Sequence, residues 1–203
     1  TEITDTVNRI VFSTVVLGKA KRLVYSKNIR PGDKLIMTKQ AGIEGALILC
    51  SDLSHKLKGV LTQEDATALE CMKEDISILP EAKIAERCGA SAMHDVTEGG
   101  ILGASYELAE AAGLGLRLKI ESIPVHPIAR KVCAHLGLNP YRLISSGSLL
   151  IAQPGNPEAL LKEMHQAGIC AAVIGEFLEQ GIVDAQGRPI APPVQDELYN
   201  ALH

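Results

Sequence analysis

The chain has 203 residues, enough for one sizeable core or a core plus part of a second domain. Hydrophobic residues make up 46% and charged residues 22%, an ordinary globular balance that argues against disorder. A net charge of −4, scattered Lys and Arg, two Phe, four Tyr and no Trp argue against nucleic acid as a partner.

No apolar run approaches the ~20 residues that cross a bilayer, and no charged-then-apolar leader opens the chain. Membrane association is therefore not expected. The odd count of five cysteines, with no C-x-x-C pair, disfavours a disulfide framework and a zinc site. Cys50, Cys71, Cys88 and Cys133 fall on apolar stripes of candidate helices, so reduced core thiols in a cytoplasmic protein are expected.

"RIVFSTVVLGKA" (Arg9 to Ala20) is rich in β-branched residues and predicts a strand. No partner strand precedes it, and the chain opens without Met, so a preceding domain is expected. The turn at Pro31-Gly32-Asp33 sets the predicted boundary, with residues 1–30 as a remnant and 31–203 as the domain proper. Lys34 to Thr38 predicts a strand. Ile43, Leu47, Cys50, Leu53 and Leu57 recur at helical spacing and predict a helix from Ile43 to Lys58. Thr62 followed by Asp65 predicts a capping box on a second helix. Pro80 opens a third, stopped at Gly89.

A short strand from Ala92 to Val96 then leads into a helix from Gly100 to Ala112. Leu114 to Ile120 predicts a strand, Pro127 to Gly137 a helix, Gly147 to Gln153 a strand, and Asn156-Pro157 caps a helix ending at Gly168. Cys170 to Glu179 and Gly181 to Ile190 predict a closing antiparallel pair, and Pro192-Pro193 introduces a short helix from Val194. The pattern predicts an α+β (mixed α/β) fold, a mixed sheet with helices packed on it.

The densest chemistry lies in "MHDVTEGGILGASYELAEAAG". Thr97 is placed to cap the helix, accepting from the N–H of Gly99 or Gly100. The remaining first-turn N–H groups sit at the positive end of the helix dipole, and glycines leave no Cβ to block an anion. Taken alone, the turn is either a capped junction that binds nothing or an anion cradle. Glu98 satisfies the dipole without a ligand, or joins Asp95 around a divalent cation bridging to phosphate. His94 is a structural histidine or a proton-transfer residue. "ISSGSLLIA" brings Gly147 and Ser148 as a tight turn or as a second small-residue wall. There is no P-loop, no dinucleotide-type G-x-G-x-x-G and no nucleophile elbow.

In order, "RPGDKLIMTKQAGIEG", "MHDVTEGGILGASYELAEAAG" and "LISSGSLLIA" resemble the C-terminal domain of the aminoimidazole ribonucleotide (AIR) synthetase superfamily. The nearest branch is the AIR synthase-related proteins similar to the hydrogenase maturation factor. "TEITDTVNRIVFSTVVLG" resembles the end of the family's N-terminal domain. The resemblance implies a partly ferredoxin-like mixed sheet, ATP and Mg²⁺ held mainly by the N-terminal domain, and a homodimer formed through that region. It implies an ATP-dependent, ligase- or kinase-like enzyme that activates a small-molecule substrate through a phosphorylated intermediate, with this chain inactive alone. Asp95, His94 and Glu98 would be catalytic, and Thr97, Gly99, Gly100, Gly147 and Ser148 would bind phosphate or substrate. No metal site is expected within the chain itself. The ending "DELYNALH" lacks the maturation factor's Pro-Arg-x-Cys tail, which argues against cyanide-ligand synthesis. Two other classes are a non-catalytic scaffold module in metallocentre assembly and a small-molecule sensor.

Overall fold

The computed structural model describes residues 14–20, 22–193 and 195–202. Its strands are β1 (Lys34–Thr38), β2 (Ala92–Asp95), β3 (Gly115–Leu118), β4 (Leu149–Gln153), β5 (Ala171–Leu178) and β6 (Ile182–Asp184). They form one sheet in the order β2-β4-β1-β5-β3-β6. All neighbours are antiparallel except β3 and β6, which run parallel. The helices are α1 (Ile43–Asp52), α2 (Gln63–Met72), α3 (Leu79–Arg87), α4 (Gly100–Ala112), α5 (Pro127–Leu136), α6 (Glu158–Gln166) and α7 (Glu197–Leu202). Among the described residues no helix is long and apolar enough to cross a membrane.

Helices cover both faces of the sheet, and the period-2 alternation of the central strands decides which residue meets which layer. Leu35, Met37, Leu150 and Ala152 face a large core with Leu49 of α1, Ile101 and Leu108 of α4, and Ile128 and Val132 of α5. Ile36, Leu149 and Ile151 point the other way, onto Ile84 of α3 and Leu160 and Met164 of α6. Burying each such side chain contributes roughly 1.5–3 kcal/mol before chain entropy is subtracted. The mixed sheet with packed helices is the expected class.

Several expectations need correction. The helix from Ile43 stops at Asp52, although Leu53 and Leu57 remain buried beyond it. The apolar spacing therefore reports burial, not the hydrogen-bond ladder. β5 and β6 do not pair: β5 already has β1 on one edge and β3 on the other, so β6 passes on to the free edge of β3. Gly115 permits that crossing, since a Cβ there would lie 2.3 Å from the backbone of Gln180. Cys71 is exposed rather than a core thiol, and Cys170, outside the apolar stripes, is exposed as well.

Of the strand expected over Arg9 to Ala20, residues 9–13 lie outside the described residues, and 14–20 carry no strand. Val15, Val16 and Leu17 are all exposed. A β-branched run becomes a strand only when another strand completes its hydrogen bonds. The expected start of the last helix, Val194, also lies outside the described residues, and the helix itself begins at Glu197.

Candidate functional site

Strand β2 delivers His94 and Asp95 to one end of the sheet, and the chain then turns through Thr97 and Glu98 into α4. Both glycines are needed for the turn: Gly99 has φ +81° and Gly100 has φ +61°, the left-handed region that side chains avoid. This double turn changes the capping expected from sequence. Gly99 is itself the N-cap residue, and the Thr97 side chain makes no capping bond. Instead the Gly100 N–H donates to the backbone carbonyl of Thr97 at 3.1 Å. The Gly99 N–H donates to Oδ2 of Asp196 at 2.7 Å, a residue 97 positions away.

The sequence does not single out Asp196, because nothing local links it to this turn. It is only 3% exposed. Its Oδ1 accepts from the N–H of Leu198 at 2.8 Å, so one carboxylate serves the first turns of both α4 and α7. Burial pushes its carboxyl above the usual Asp range. Hydrogen bonds from Leu198, Gly99 and Ile144 pull against that shift, and the charge of Glu98 adds to it. Beside it Tyr199 donates its hydroxyl to Oε1 of Glu98 at 2.9 Å, and this bond raises the phenol's pKa.

Between α7 and the turn lies a cavity of about 270 Å³, with Glu98, Glu107, Asp196 and Tyr199 in its wall. Three carboxylates and no Lys or Arg line it, so its field opposes a free phosphate. His94 does not line the cavity; it is half-buried, with Nδ1 against the Asp95 carbonyl oxygen and Nε2 3.8 Å from Oε2 of Glu107, which does. Asp95, Thr97 and Glu98 face solvent, whereas Gly99 and Gly100 are buried. Gly100 in fact faces inward: a Cβ would lie 2.7 Å from the carbonyl oxygens of Leu143 and Tyr141.

Gly147 and Ser148 stand apart from this cavity. A Cβ at Gly147 (φ +104°) would lie 2.5 Å from the Asp75 carbonyl oxygen, and Ser148 Oγ donates to the Gln40 carbonyl at 2.8 Å. Gln40 and Asp75 line a second cavity of about 250 Å³, together with Lys39 and Cys170. Lys39 has φ +51°, unusual for a side-chain-bearing residue. Its Nζ reaches Oε1 of the fully buried Glu81 and the carbonyls of Asp75 and Ser77, each at 2.8 Å. With three acceptors already engaged, this ammonium is committed to the fold.

Segment Leu143 to Ser148 connects the two halves. Ser145 Oγ accepts from the Gly42 N–H at 2.6 Å, and the Ile144 carbonyl accepts from the Gly45 N–H at 3.0 Å. Helices α1 and α4 both start from a left-handed glycine, Gly42 and Gly99, and both point their N-termini at this segment. Spacing alone suggests two small-residue loops side by side. The structure brings their backbones together through the Ser145 N–H, which donates to the Val96 carbonyl. It separates Gly147 and Ser148 from the carboxylates. Among the described residues no group of three or more His, Cys, Asp or Glu is arranged to hold a metal ion.

Comparison with known proteins fits this architecture. Carbamoyl dehydratase HypE of Escherichia coli is 30% identical over 179 residues, covering 86% of this chain and 51% of that protein. The crystal structure of E. coli HypE superposes with a TM-score of 0.72 at 28% identity, over 89% of this chain and 56% of that one. Selenide, water dikinase of Dictyostelium discoideum is 29% identical over 80% of this chain and 49% of its own length. A hydrogenase maturation protein HypE solved in complex with ATP shares the fold at a TM-score of 0.59 and 19% identity, over 85% of this chain and 54% of its own. The chain thus spans about half the length of the curated relatives it matches. Residues 30–187 match the family described as AIR synthase related protein, C-terminal domain, and the chain belongs to that family.

Proposed function

We propose that this chain is the C-terminal half of an ATP-using enzyme of the AIR synthase and hydrogenase maturation superfamily. The observation that carries the reading is the family match over residues 30–187, with relatives of twice this length that include a carbamoyl dehydratase and a dikinase. Residues 1–30 belong on this reading to a preceding nucleotide-binding and dimerisation domain, and 31–203 form the domain described here. The substrate is a small molecule activated by phosphorylation. The β2–α4 turn faces it across the cleft between the domains.

The residues present do not form a site for ATP or Mg²⁺ by themselves. The cavity beside the β2–α4 turn is acidic, Lys39 is committed, and no metal-holding cluster exists among the described residues. The reading therefore assigns nucleotide and metal to the preceding domain, and no step at either is derived from this chain. Its own contribution is substrate orientation. Asp95 and Glu98 offer exposed carboxylates to a substrate amine or metal-bound water, and His94 beside Glu107 is placed to move a proton. Thr97 offers a hydroxyl.

One observation favours the non-catalytic module: the amide expected to hold an anion is already bonded to Asp196. The test is ATP-dependent phosphate release by the full-length protein, compared with Asp95→Asn and Glu98→Gln. Both side chains are exposed, so folding is expected to survive. On the enzyme reading at least one variant slows turnover by about 10²-fold or more. Unchanged rates in both variants reject the assigned roles, and absence of ATP binding by the full-length protein leaves the scaffold module. The 203-residue chain alone is expected to show no ATP hydrolysis.

A further inference from the structure

We propose that His126 is a proton-operated cap: neutral, it holds the first turn of α5, and protonated, it releases that turn at the junction where α1 begins.

The cap follows from the local chain. Pro127 takes the first position of α5 and has no N–H, so Ile128 carries the first donor of the helix. That N–H donates to Nδ1 of His126 at 3.2 Å. The usual capping acceptors, Ser, Thr, Asn and Asp, keep their lone pairs through the neutral and mildly acid range. An imidazole keeps this one only while Nδ1 is bare. Protonation sets two N–H groups against each other and adds a positive charge at the positive end of the helix dipole. Ile128 is 2% exposed, so water has little access to replace the lost acceptor.

Position makes this cap matter beyond α5. The His126 N–H donates to the Ala41 carbonyl at 3.1 Å, and the Ala41 N–H donates to the Pro124 carbonyl at 2.8 Å. Val125 forms a parallel bridge with Ala41. Ala129, in the first turn of α5, packs on Gly42, where a Cβ would lie 2.7 Å from the Ala129 Cβ. Gly42 is the N-cap residue of α1, and its N–H donates to Ser145 Oγ. The first turn of α5 thus buttresses the segment Leu143 to Ser148 through the start of α1.

Surroundings set the pH range. Burial lowers the His126 pKa below 6.5, and the charge of Asp75, in the turn Lys73–Ile76, pulls the other way. Among the other charged groups on this side, Lys39 is paired with Glu81, and Lys131 of α5 with Asp65. Glu44 lies in the first turn of α1, and Arg130 one turn along α5. A histidine held below its unfolded value gives stability that is present above pH 6.5 and is lost as pH falls through the folded value.

The test follows the 203-residue chain by NMR, through the coupling that an N–H···N bond transmits between the Ile128 nitrogen and His126 Nδ1. The cap predicts that this coupling is present above pH 6.5 and vanishes as the His126 ring titrates, with a midpoint below 6.5. Over the same range the hydrogen-exchange protection of Ile128 falls about tenfold, while that of Ile151 in β4 holds. His126→Asn keeps a capping oxygen and does not titrate, so its Ile128 protection is expected to stay constant across the range. No coupling above pH 6.5, a ring that titrates without change at Ile128, or an unaltered pH response in His126→Asn overturns the proposal. An equal loss at Ile151 also overturns it, because that marks unfolding of the whole domain. Should His126→Asn fail to fold, the coupling and exchange of the wild type decide.

Discussion

Among single residues the cysteines show how burial sets chemistry. Cys133 is buried, and loss of solvent pushes its thiol up to about 12. The same cause, with the charge of Asp65 added, pushes Cys50 up to about 11. The thiolate is the nucleophile, so neither residue reacts readily near neutrality. Cys71 and Cys170 are exposed. Brief iodoacetamide treatment of the native protein at pH 8 is expected to modify Cys71 and Cys170 and to spare Cys50 and Cys133. Peptide mapping checks this, and early labelling of Cys133 would contradict the packing of α5. Spacing alone puts Cys71 on an apolar stripe. However, α2 buries only Met72, and a helix that lies on the outside leaves most of its stripe in water.

Elements whose determinants are local are legible in the amino-acid sequence. The capping box of α2 is complete: Asp65 N–H donates to Thr62 Oγ1 at 3.2 Å, and Thr62 N–H donates to Asp65 Oδ2 at 2.8 Å. Thr62→Ala is expected to cost about 1 kcal/mol in a urea titration. Lys131 of α5 adds a bond of 2.6 Å to the same carboxylate. That bond, followed by those from Thr62, lowers the Asp65 pKa from 3.8 to about 2. A lowered carboxylate pKa gives stability that is present above pH 3.8 and is lost as pH falls toward 2. Lys131→Met is expected to move the Asp65 titration upward, as followed by carboxyl ¹³C shifts. An unmoved midpoint would show that Lys131 is not its main partner. The cap of α4 is not legible in the same way, because its acceptor arrives from 97 residues downstream and a backbone carbonyl does the rest. Thr97 fits the local rule for a cap, but two successive left-handed glycines displace it from that role.

For the whole molecule, alternation along the strands announces the mixed sheet, and the family resemblance places it. Strand order does not follow from alternation, because periodicity tells which face a residue takes and not which strand lies beside it. For that reason β5 and β6, adjacent in the chain, read as a pair although they are not one. Gly115 marks the true path: Gly115→Ala drives a methyl into the Gln180 backbone, with a loss of about 2 kcal/mol. This corresponds to a fall of roughly 4–8 °C in Tm. An unchanged Tm would mean that the β5–β6 crossing relaxes freely.

The order β2-β4-β1-β5-β3-β6 also bears on how the chain is made. β1 pairs only with β4 and β5, β2 only with β4, and β3 only with β5 and β6. Every ladder in the sheet thus needs a strand that begins at Leu149 or later. When synthesis has passed residue 148, β1, β2 and β3 and several amphipathic helices have been made, yet none of these three strands has its partner. Until β4 emerges, Leu35, Met37 and Ala92 have no sheet to join, and this is the interval in which chaperones have most to protect.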